Sequence, residues 1–369
     1  MRIFVAVMNF IYIFYKLGST RRKVTLISRQ SDEPSVDFLM LKERLEQDEN
    51  LEVVVLTRTL GHGLGGKISY FGHMFTQMHH LATSQVVVLD SYCILASVLH
   101  HKKSLCIIQM WHASCAIKKF GHQTIGEQDG TSEATARIMR MHKNYDFVLC
   151  ASDVTAEYFC QAFDVTKDKI VKNGLPRLDY IRADKEKMRE KIFSAYPQLK
   201  GKKNILYVPT FRKNRVVDVE SLIKNVDLDR YNLIVRLHPL DLQAGNFKKV
   251  DGVIYETDFY SFDLLKAADI VISDYSAFVV EASFAGKPVY LYVYDEEEYL
   301  KTTGLNVNYA NEAIGKYAFR DAGELCRAME DDYDFAALNT FCSKYIDVNT
   351  DDCTGQLVDF IGRHLNAVK

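Results

Sequence analysis

The sequence has no run approaching the roughly 20 apolar residues of a membrane span. It has no GxxxxGK(S/T) phosphate loop, and its eight cysteines include no CxxC pair. These absences exclude a spanning helix, a P-loop nucleotide site and a zinc knuckle. Charge of one sign is lacking too, since 46 Lys and Arg against 48 Asp and Glu leave a net charge of −2. That balance gives no support to a nucleic-acid binder working by bulk electrostatics. Proline is scarce, with 6 in 369 residues, and Trp111 is the one tryptophan. With 19 Gly, 48% apolar and 25% charged residues, the composition excludes collagen-like, disordered and low-complexity chains. The length leaves room for two to three domains of roughly 100–200 residues each.

Several cysteines sit in apolar runs, Cys106 in LCIIQM and Cys150 in FVLC, as reduced thiols of a cytosolic protein do. The histidines of the 62–80 stretch (His62, His73, His79, His80) lack neighbouring carboxylates and metal-ligand spacing, so no metal site is expected. The glycines of LGHGLGG (60–66) have no dinucleotide spacing and read as a flexible loop.

Residues Ile3 to Tyr15 (IFVAVMNFIYIFY) are apolar apart from Asn9, and Lys16, Arg21, Arg22 and Lys23 follow. A secretory signal carries its charge in front and a small-residue cleavage site behind. Thirteen residues make only about 20 Å of helix, too short to span a bilayer. Two readings remain, a helix lying in a membrane interface and a buried helix or strand. The position ahead of the first strand favours the membrane surface, giving a segment 1–22.

Beyond it the pattern alternates strand and helix. VTLISR (24–29), LEVVVLT (51–57), QVVVLD (85–90), SLCIIQMWH (104–112) and YDFVLCAS (145–152) read as strands, with a helix over 37–47. A second set follows: NILYVPTF (204–211), YNLIVRLH (231–238), GVIYET (252–257), DIVISD (269–274) and PVYLYVYD (288–295). Helices fit 218–226, 261–268 and 276–286, and residues 320–368 look helical. Continuous apolar strands separated by helices imply parallel sheets covered on both faces. The expected architecture is α/β: two Rossmann-like doubly wound domains, 23–180 and 181–369, facing a central cleft. The last helices would pack back on the first domain. Ligands of such sheets bind at the carboxyl ends of the strands.

The polar residues at those ends form a short set. His112 closes the fourth strand and suits a general base working near neutral pH. Arg236 and His238 close VRLHP, where Pro239 ends the ladder and aims His238. Thr210 and Arg212 close YVPTFR, a hydroxyl and a guanidinium fork for phosphate oxygens. In VISDYSAFVVEASFAGKP, Ser273, Asp274, Tyr275 and Ser276 end a strand, and Asp274 to Ser276 would cap the next helix. The amides there suit an anion, and Glu281, one turn in, suits ribose hydroxyls. Each has a plainer reading as a strand-end salt bridge, surface side chain or structural cap.

Five stretches, in order over roughly residues 105–300, resemble one family. QMWHASCAIKKFG is similar to the "QxWHGTPLKKLG" of the CDP-glycerol glycerophosphotransferases of teichoic acid synthesis. NGLPRLDY resembles their "GxPRND" turn, YVPTFR their "YAPTWR", VRLHP their "xRLHP". VISDYSAFVVEASFAGKPVYLYVYDEEEY resembles their "LITDYSSxxFDxxxxxKPIIFxxYDxEEY".

The resemblance implies a GT-B-like fold. It also implies transfer of a polyol phosphate from a CDP-activated donor to a hydroxyl of a lipid-linked saccharide at the cytoplasmic membrane surface. No cofactor, metal or nucleic acid is implied. His112 would be the general base, with His238 as a second catalytic residue. His238 and Arg212 would stabilise phosphoryl oxygens and leaving CMP. Thr210, Arg236, Pro239, Ser273, Asp274, Tyr275, Ser276 and Glu281 would hold the donor, and the turn with Gly174, Pro176 and Arg177 would lie near it.

Departures from the family pattern are Ala113-Ser114-Cys115 in place of Gly-Thr-Pro, Glu281 in place of Asp, and a 301–316 stretch without prolines. They leave glycerol and ribitol both open. The modest length favours a primase adding one unit over a polymerase. The competing classes are a GT-B sugar transferase or epimerase using a UDP-sugar, and a membrane-associated scaffold.

Overall fold

A computed structural model describes every residue except 62, 129, 213–215, 239–240, 242–248 and 366–369. His62 and Pro239 therefore lie outside the described residues. The chain divides into two compact units. The first holds residues 1–114, 119–179 and 347–369; the second holds 115–118 and 180–346.

The first unit is built on six parallel strands in the order β2-β1-β3-β4-β5-β6. They are β1 (Lys23–Ser28), β2 (Glu52–Thr57), β3 (Val86–Leu89), β4 (Cys106–Gln109), β5 (Phe147–Cys150) and β6 (Ile170–Lys172). Strands β1 and β3 are buried along their whole length, which explains why they read as unbroken apolar runs. The first three helices of the unit are α1 (Arg2–Tyr15), α2 (Val36–Leu45) and α3 (Gly63–Thr83). The helix Cys353–Leu365 buries Cys353, Leu357, Ile361 and Leu365 at four-residue spacing. Those leucines and Ile361 share a core with Phe38 and Leu41 of α2 and with Val86 and Val88 of β3. The chain's last helix thus belongs to the first unit.

The second unit repeats the architecture with the order β12-β11-β10-β7-β8-β9. Its strands are β7 (Lys203–Val208), β8 (Tyr231–Val235), β9 (Val253–Tyr255), β10 (Ile270–Ser273), β11 (Val289–Tyr292) and β12 (Ala318–Phe319). All pairings are parallel. Of the edge strands, β6 and β12 are three and two residues long, too short for an apolar pattern to announce them.

The glycine stretch expected to be a loop is different. Gly63 begins α3, a helix of 21 residues. Glycine weakens a helix by about 1 kcal/mol relative to alanine, but Tyr70, Met74, Met78 and Leu81 bury one face of α3 and carry it. A Cβ at Gly66 would lie 2.5 Å from the Gly61 carbonyl carbon, so a close backbone approach requires the glycine.

Helix α1 is amphipathic. Met8 and Tyr12 are buried, and Asn9 ties the helix down by donating to the Val98 carbonyl and accepting from the His100 amide. The opposite face leaves Ile3 81%, Phe10 63% and Leu17 80% exposed, with Val7 and Phe14 between them. No helix among the described residues is long and apolar enough to cross a membrane.

Candidate active site

In the first unit, β4 ends at Gln109 and the chain turns sharply. Trp111 takes a left-handed backbone conformation (φ 62°), which costs a non-glycine residue roughly 1–3 kcal/mol. Its amide donates to the Gln109 side-chain oxygen at 2.9 Å, and its ring stacks on Phe120 with centroids 4.5 Å apart. That packing holds the turn and presents His112. The Nδ1 of His112 lies 2.9 Å from the Asp90 carbonyl oxygen at the end of β3. A carbonyl only accepts, so Nδ1 carries the proton and the basic lone pair belongs to Nε2. Gln30 Nε2, also a donor, stands 3.2 Å from the same Nδ1; the shorter Asp90 contact takes the proton, and Gln30 makes no hydrogen bond to Nδ1 in that tautomer. Beneath the histidine, burial pushes the Asp90 carboxyl up to about 6.

The turn of Gly174, Pro176 and Arg177 is occupied structurally. The Asp37 carboxylate accepts from the Arg177 backbone amide at 2.8 Å and from its Nε at 2.9 Å. Asp179 accepts from the amides of Cys353 and Thr354 at 2.9 and 2.7 Å, capping the last helix. A Cβ on Gly174 would lie 2.5 Å from the Cys353 Sγ. The turn therefore fastens the terminal helix to the first unit.

In the second unit, side chains gather at the carboxyl ends of β7, β8 and β10. Arg212 is the centre. Its Nε and Nη2 donate to the two oxygens of Asp295 at 2.7 and 3.1 Å, and Nη2 lies 2.9 Å from Asp274 Oδ2. Nη1 donates to the Thr210 carbonyl at 2.8 Å. The guanidinium lies over Tyr299 and Tyr275, 4.9 and 5.3 Å from the ring centroids. The expected open phosphate fork is thus already taken by two carboxylates. Asp274, expected as a helix cap, instead accepts the Thr210 amide at 3.0 Å. Of the expected caps, Ser276 does this, its Oγ accepting from the Phe278 amide at 3.2 Å. Ser273 donates to the Val208 carbonyl at 2.6 Å. The Asp274 backbone oxygen accepts from buried Tyr309 at 2.8 Å.

Glu281 is buried in the first turn of the helix Phe278–Phe284. Arg236 donates to the Glu256 carbonyl at 2.8 Å. His238 reaches the surface with its ring 5.4 Å from that of Phe211. The protein packed around its base, and secondarily Lys118, hold its imidazole below the ordinary value.

Three site residues escaped the strand-end reading. Lys118 belongs to the short segment Cys115–Lys118, pinned to the second unit where Asn306 donates to the Ile117 carbonyl at 2.8 Å and to the Lys118 carbonyl at 3.2 Å. Burial pushes its ammonium down, while Asp274 pulls it the other way. Asp241 has a carboxyl that burial raises to about 6, with Oδ2 buried and unpartnered among the described residues. Asp295, the chief anchor of Arg212, follows β11 as a carboxylate at a strand end, a signal that was open to the same reasoning. Among the described residues no group of three His, Cys, Asp or Glu could hold a metal ion.

A strand-end histidine in the first unit and, separately, a cation-rich strand-end cluster in the second are groups of the kind phosphoryl transfer uses. The sequence model of CDP-Glycerol:Poly(glycerophosphate) glycerophosphotransferases matches residues 9–362. The chain belongs to this family. Among glycerophosphotransferase relatives, it is 32% identical to the teichoic acid ribitol-phosphate primase of Bacillus spizizenii, over 94% of this chain and 92% of the relative. It is 30% identical to the teichoic acid glycerol-phosphate primase of Bacillus subtilis, over 78% of this chain and 76% of the relative. The fold is that of the wall teichoic acid polymerase TagF, with a TM-score of 0.77 at 17% identity, covering 99% of this chain and 97% of the TagF chain. The α/β, GT-B-like architecture of this glycerophosphotransferase-family protein is thereby established.

Proposed function

We propose that the protein transfers a polyol phosphate from a CDP-activated polyol to a hydroxyl of a lipid-linked saccharide, releasing CMP, in teichoic acid synthesis. The observation that carries this reading is the place of His112 at the end of β4, its Nδ1 2.9 Å from the Asp90 carbonyl oxygen; in this reading Nδ1 donates to Asp90 and the imidazole takes the proton of the acceptor hydroxyl through Nε2. The hydroxyl oxygen bonds to the phosphorus that bears the polyol. The bond from that phosphorus to the CMP oxygen breaks, and CMP leaves. The second unit, taken by itself, offers Lys118 and His238 as the groups suited to the charge of a phosphate and of CMP. Arg212, held by Asp295, positions Asp274 and Thr210. Ser276 and Glu281 contact the cytidine ribose.

The match to the ribitol-phosphate primase over 92% of its length supports single-unit addition and makes CDP-ribitol the first donor to try. The acceptor is brought in at the cytoplasmic membrane surface. The α1 stripe of Ile3, Val7, Phe10, Phe14 and Leu17 enters the acyl boundary, with Arg2 on the headgroups.

The test is CMP release from CDP-ribitol and, in parallel, CDP-glycerol, with a lipid-linked disaccharide acceptor. One transferred unit is the expected product. Long products would replace the primase reading with a polymerase. CMP release from neither donor would remove the reaction.

A further inference from the structure

Each sheet ends in two edge strands, β2 and β6 in the first unit and β12 and β9 in the second. Three of these edges are blunt: β6 and β9 are three residues long and β12 is two. Strand β2 is six residues long. Its sequence, EVVVLT, holds no proline and no lysine, the residues that usually guard an edge, and its register with β1 runs without a bulge from Glu52 to Thr57. A long, regular edge is a template for another strand.

Its open groups can be named. The Glu52 amide donates to the Arg22 carbonyl and the Arg58 amide to the Ser28 carbonyl, both at 3.1 Å. Successive peptide groups of a strand point to opposite edges, so residues 52, 54, 56 and 58 are spent on β1. The amides and carbonyls of Val53, Val55 and Thr57 point outward, and none has a hydrogen-bond partner among the described residues. The side chains from Val53 to Thr57 are each partly exposed, whereas β1 and β3 are buried throughout.

The occupant that fits is the same strand of a second copy, run antiparallel about a two-fold axis. One register pairs every open group: Val55 faces its own counterpart, and Val53 faces Thr57. A slip in one direction sets Thr57 against Leu51, whose amide is already given to the Asp48 carbonyl at 2.9 Å. A slip in the other sets Val53 against Thr59, whose amide is already given to the Asp32 carboxylate at 2.7 Å.

The register fixed by these hydrogen bonds also matches the charges. It sets Glu52 of each copy opposite Arg58 of the other, on the same face of the sheet, at both ends of the pairing. Within its own copy the Glu52 carboxylate is 42% exposed and stands 3.7 Å from Arg21 and 4.0 Å from Lys23. Arg58 donates to Ser69 Oγ at 2.9 Å and lies near the Asp32 carboxylate. Between the charged ends the opposed side chains are apolar. Val54 meets Leu56 on one face, and Val55 meets Val55 on the other, where Val53 and Val55 already pack on the core shared by α2 and the last helix.

We infer that β2 is a contact between two copies of this chain, joined antiparallel through Val53, Val55 and Thr57, with Glu52 of each copy against Arg58 of the other. The two first-unit sheets become one continuous sheet.

The full chain is studied by sedimentation equilibrium across the micromolar range, since so short a pairing makes a weak dimer. A concentration-dependent dimer is expected, and it persists when Phe10→Glu and Phe14→Glu remove the exposed stripe of α1. Val55→Pro deletes one outward amide and no bond to β1, and is expected to give a folded monomer. Glu52→Arg or Arg58→Glu alone sets like charges together at both ends and raises the dimer Kd roughly tenfold or more. The two reversals combined recover most of that loss, although Glu52→Arg still lacks its contacts to Arg21 and Lys23. A chain that stays monomeric overturns the contact, as does a dimer lost with the α1 stripe. So does a Val55→Pro dimer as tight as wild type, or a combined reversal no tighter than the single ones. Should Val55→Pro fail to fold, the charge variants decide alone.

Discussion

His112 gives its Nδ1 proton to the carbonyl oxygen of Asp90 across 2.9 Å. This one bond sets which nitrogen is basic, and it comes from the backbone, so no neighbouring side-chain substitution replaces it. His112→Ala is expected to lower kcat by roughly 10²–10⁴-fold, the usual worth of a general base, with the CDP-polyol dissociation constant unchanged. Turnover within a factor of two of wild type would remove the role of base.

The Asp90 carboxyl beneath it is raised from 3.8 to about 6, chiefly by burial. The folded state therefore binds this proton more tightly than the unfolded chain. The carboxyl costs stability once ionised, so stability falls as pH rises from about 4 through about 6 and is level with respect to this group above that. Asp90→Asn removes the slope. Urea denaturation of both proteins from pH 4 to pH 8 checks it: the variant gains on wild type by about 2–3 kcal/mol across the window. A difference independent of pH would contradict the burial.

Arg212 is held by Asp295 and Asp274 with 4% of its side chain exposed. Breaking a buried pair from one side costs about 3–5 kcal/mol. Asp295→Ala should cost that much in chemical denaturation, and Arg212→Lys should not restore stability, because a point charge cannot make the two-pronged contact. A loss below about 1 kcal/mol, the range of an exposed pair, would show the network to be loose.

The last helix depends on Asp179 and Gly174. Asp179→Ala removes a cap worth about 1 kcal/mol. Gly174→Ala drives a methyl to 2.5 Å from Cys353 Sγ and 2.8 Å from Leu178 Cδ1. In both, hydrogen exchange should quicken over 353–365 before it changes in β1 or β3. Uniform acceleration of the whole first unit would mean that the helix is not separately fastened there.

The exposed stripe of α1 is checked by vesicle sedimentation. Phe10→Glu with Phe14→Glu should abolish most binding to anionic vesicles while leaving CDP binding and thermal stability intact, since both side chains already face solvent. Retained vesicle binding would place membrane contact elsewhere.

Much of the fold was legible along the chain. Strands such as QVVVLD and DIVISD are buried on both faces and so appear as continuous apolar runs, bounded by the polar residues that end them. Thr210, His238, Ser273 and Asp274 were found the same way, because a strand end is a position that sequence marks. The glycines of 63–66 misled, because their helix is sustained by Tyr70, Met74 and Leu81 further along. Strands β6 and β12 were silent because two or three residues carry no period. Lys118 was hidden in a motif whose histidine took all the notice, although its backbone belongs to the second unit.

By itself, then, the order of residues determined the two sheets, their parallel sense and the chemical types gathered at their carboxyl ends, since these depend on local period and on short-range turns. The tertiary structure decided which of those groups are already committed. Arg212 reads as an open phosphate fork until Asp295 and Asp274 close on it. Arg177 reads as a ligand residue until Asp37 takes it. The reason is physical: a guanidinium is the same in every sequence, and only the carboxylates brought within reach by folding determine whether it is a strut or a binding group.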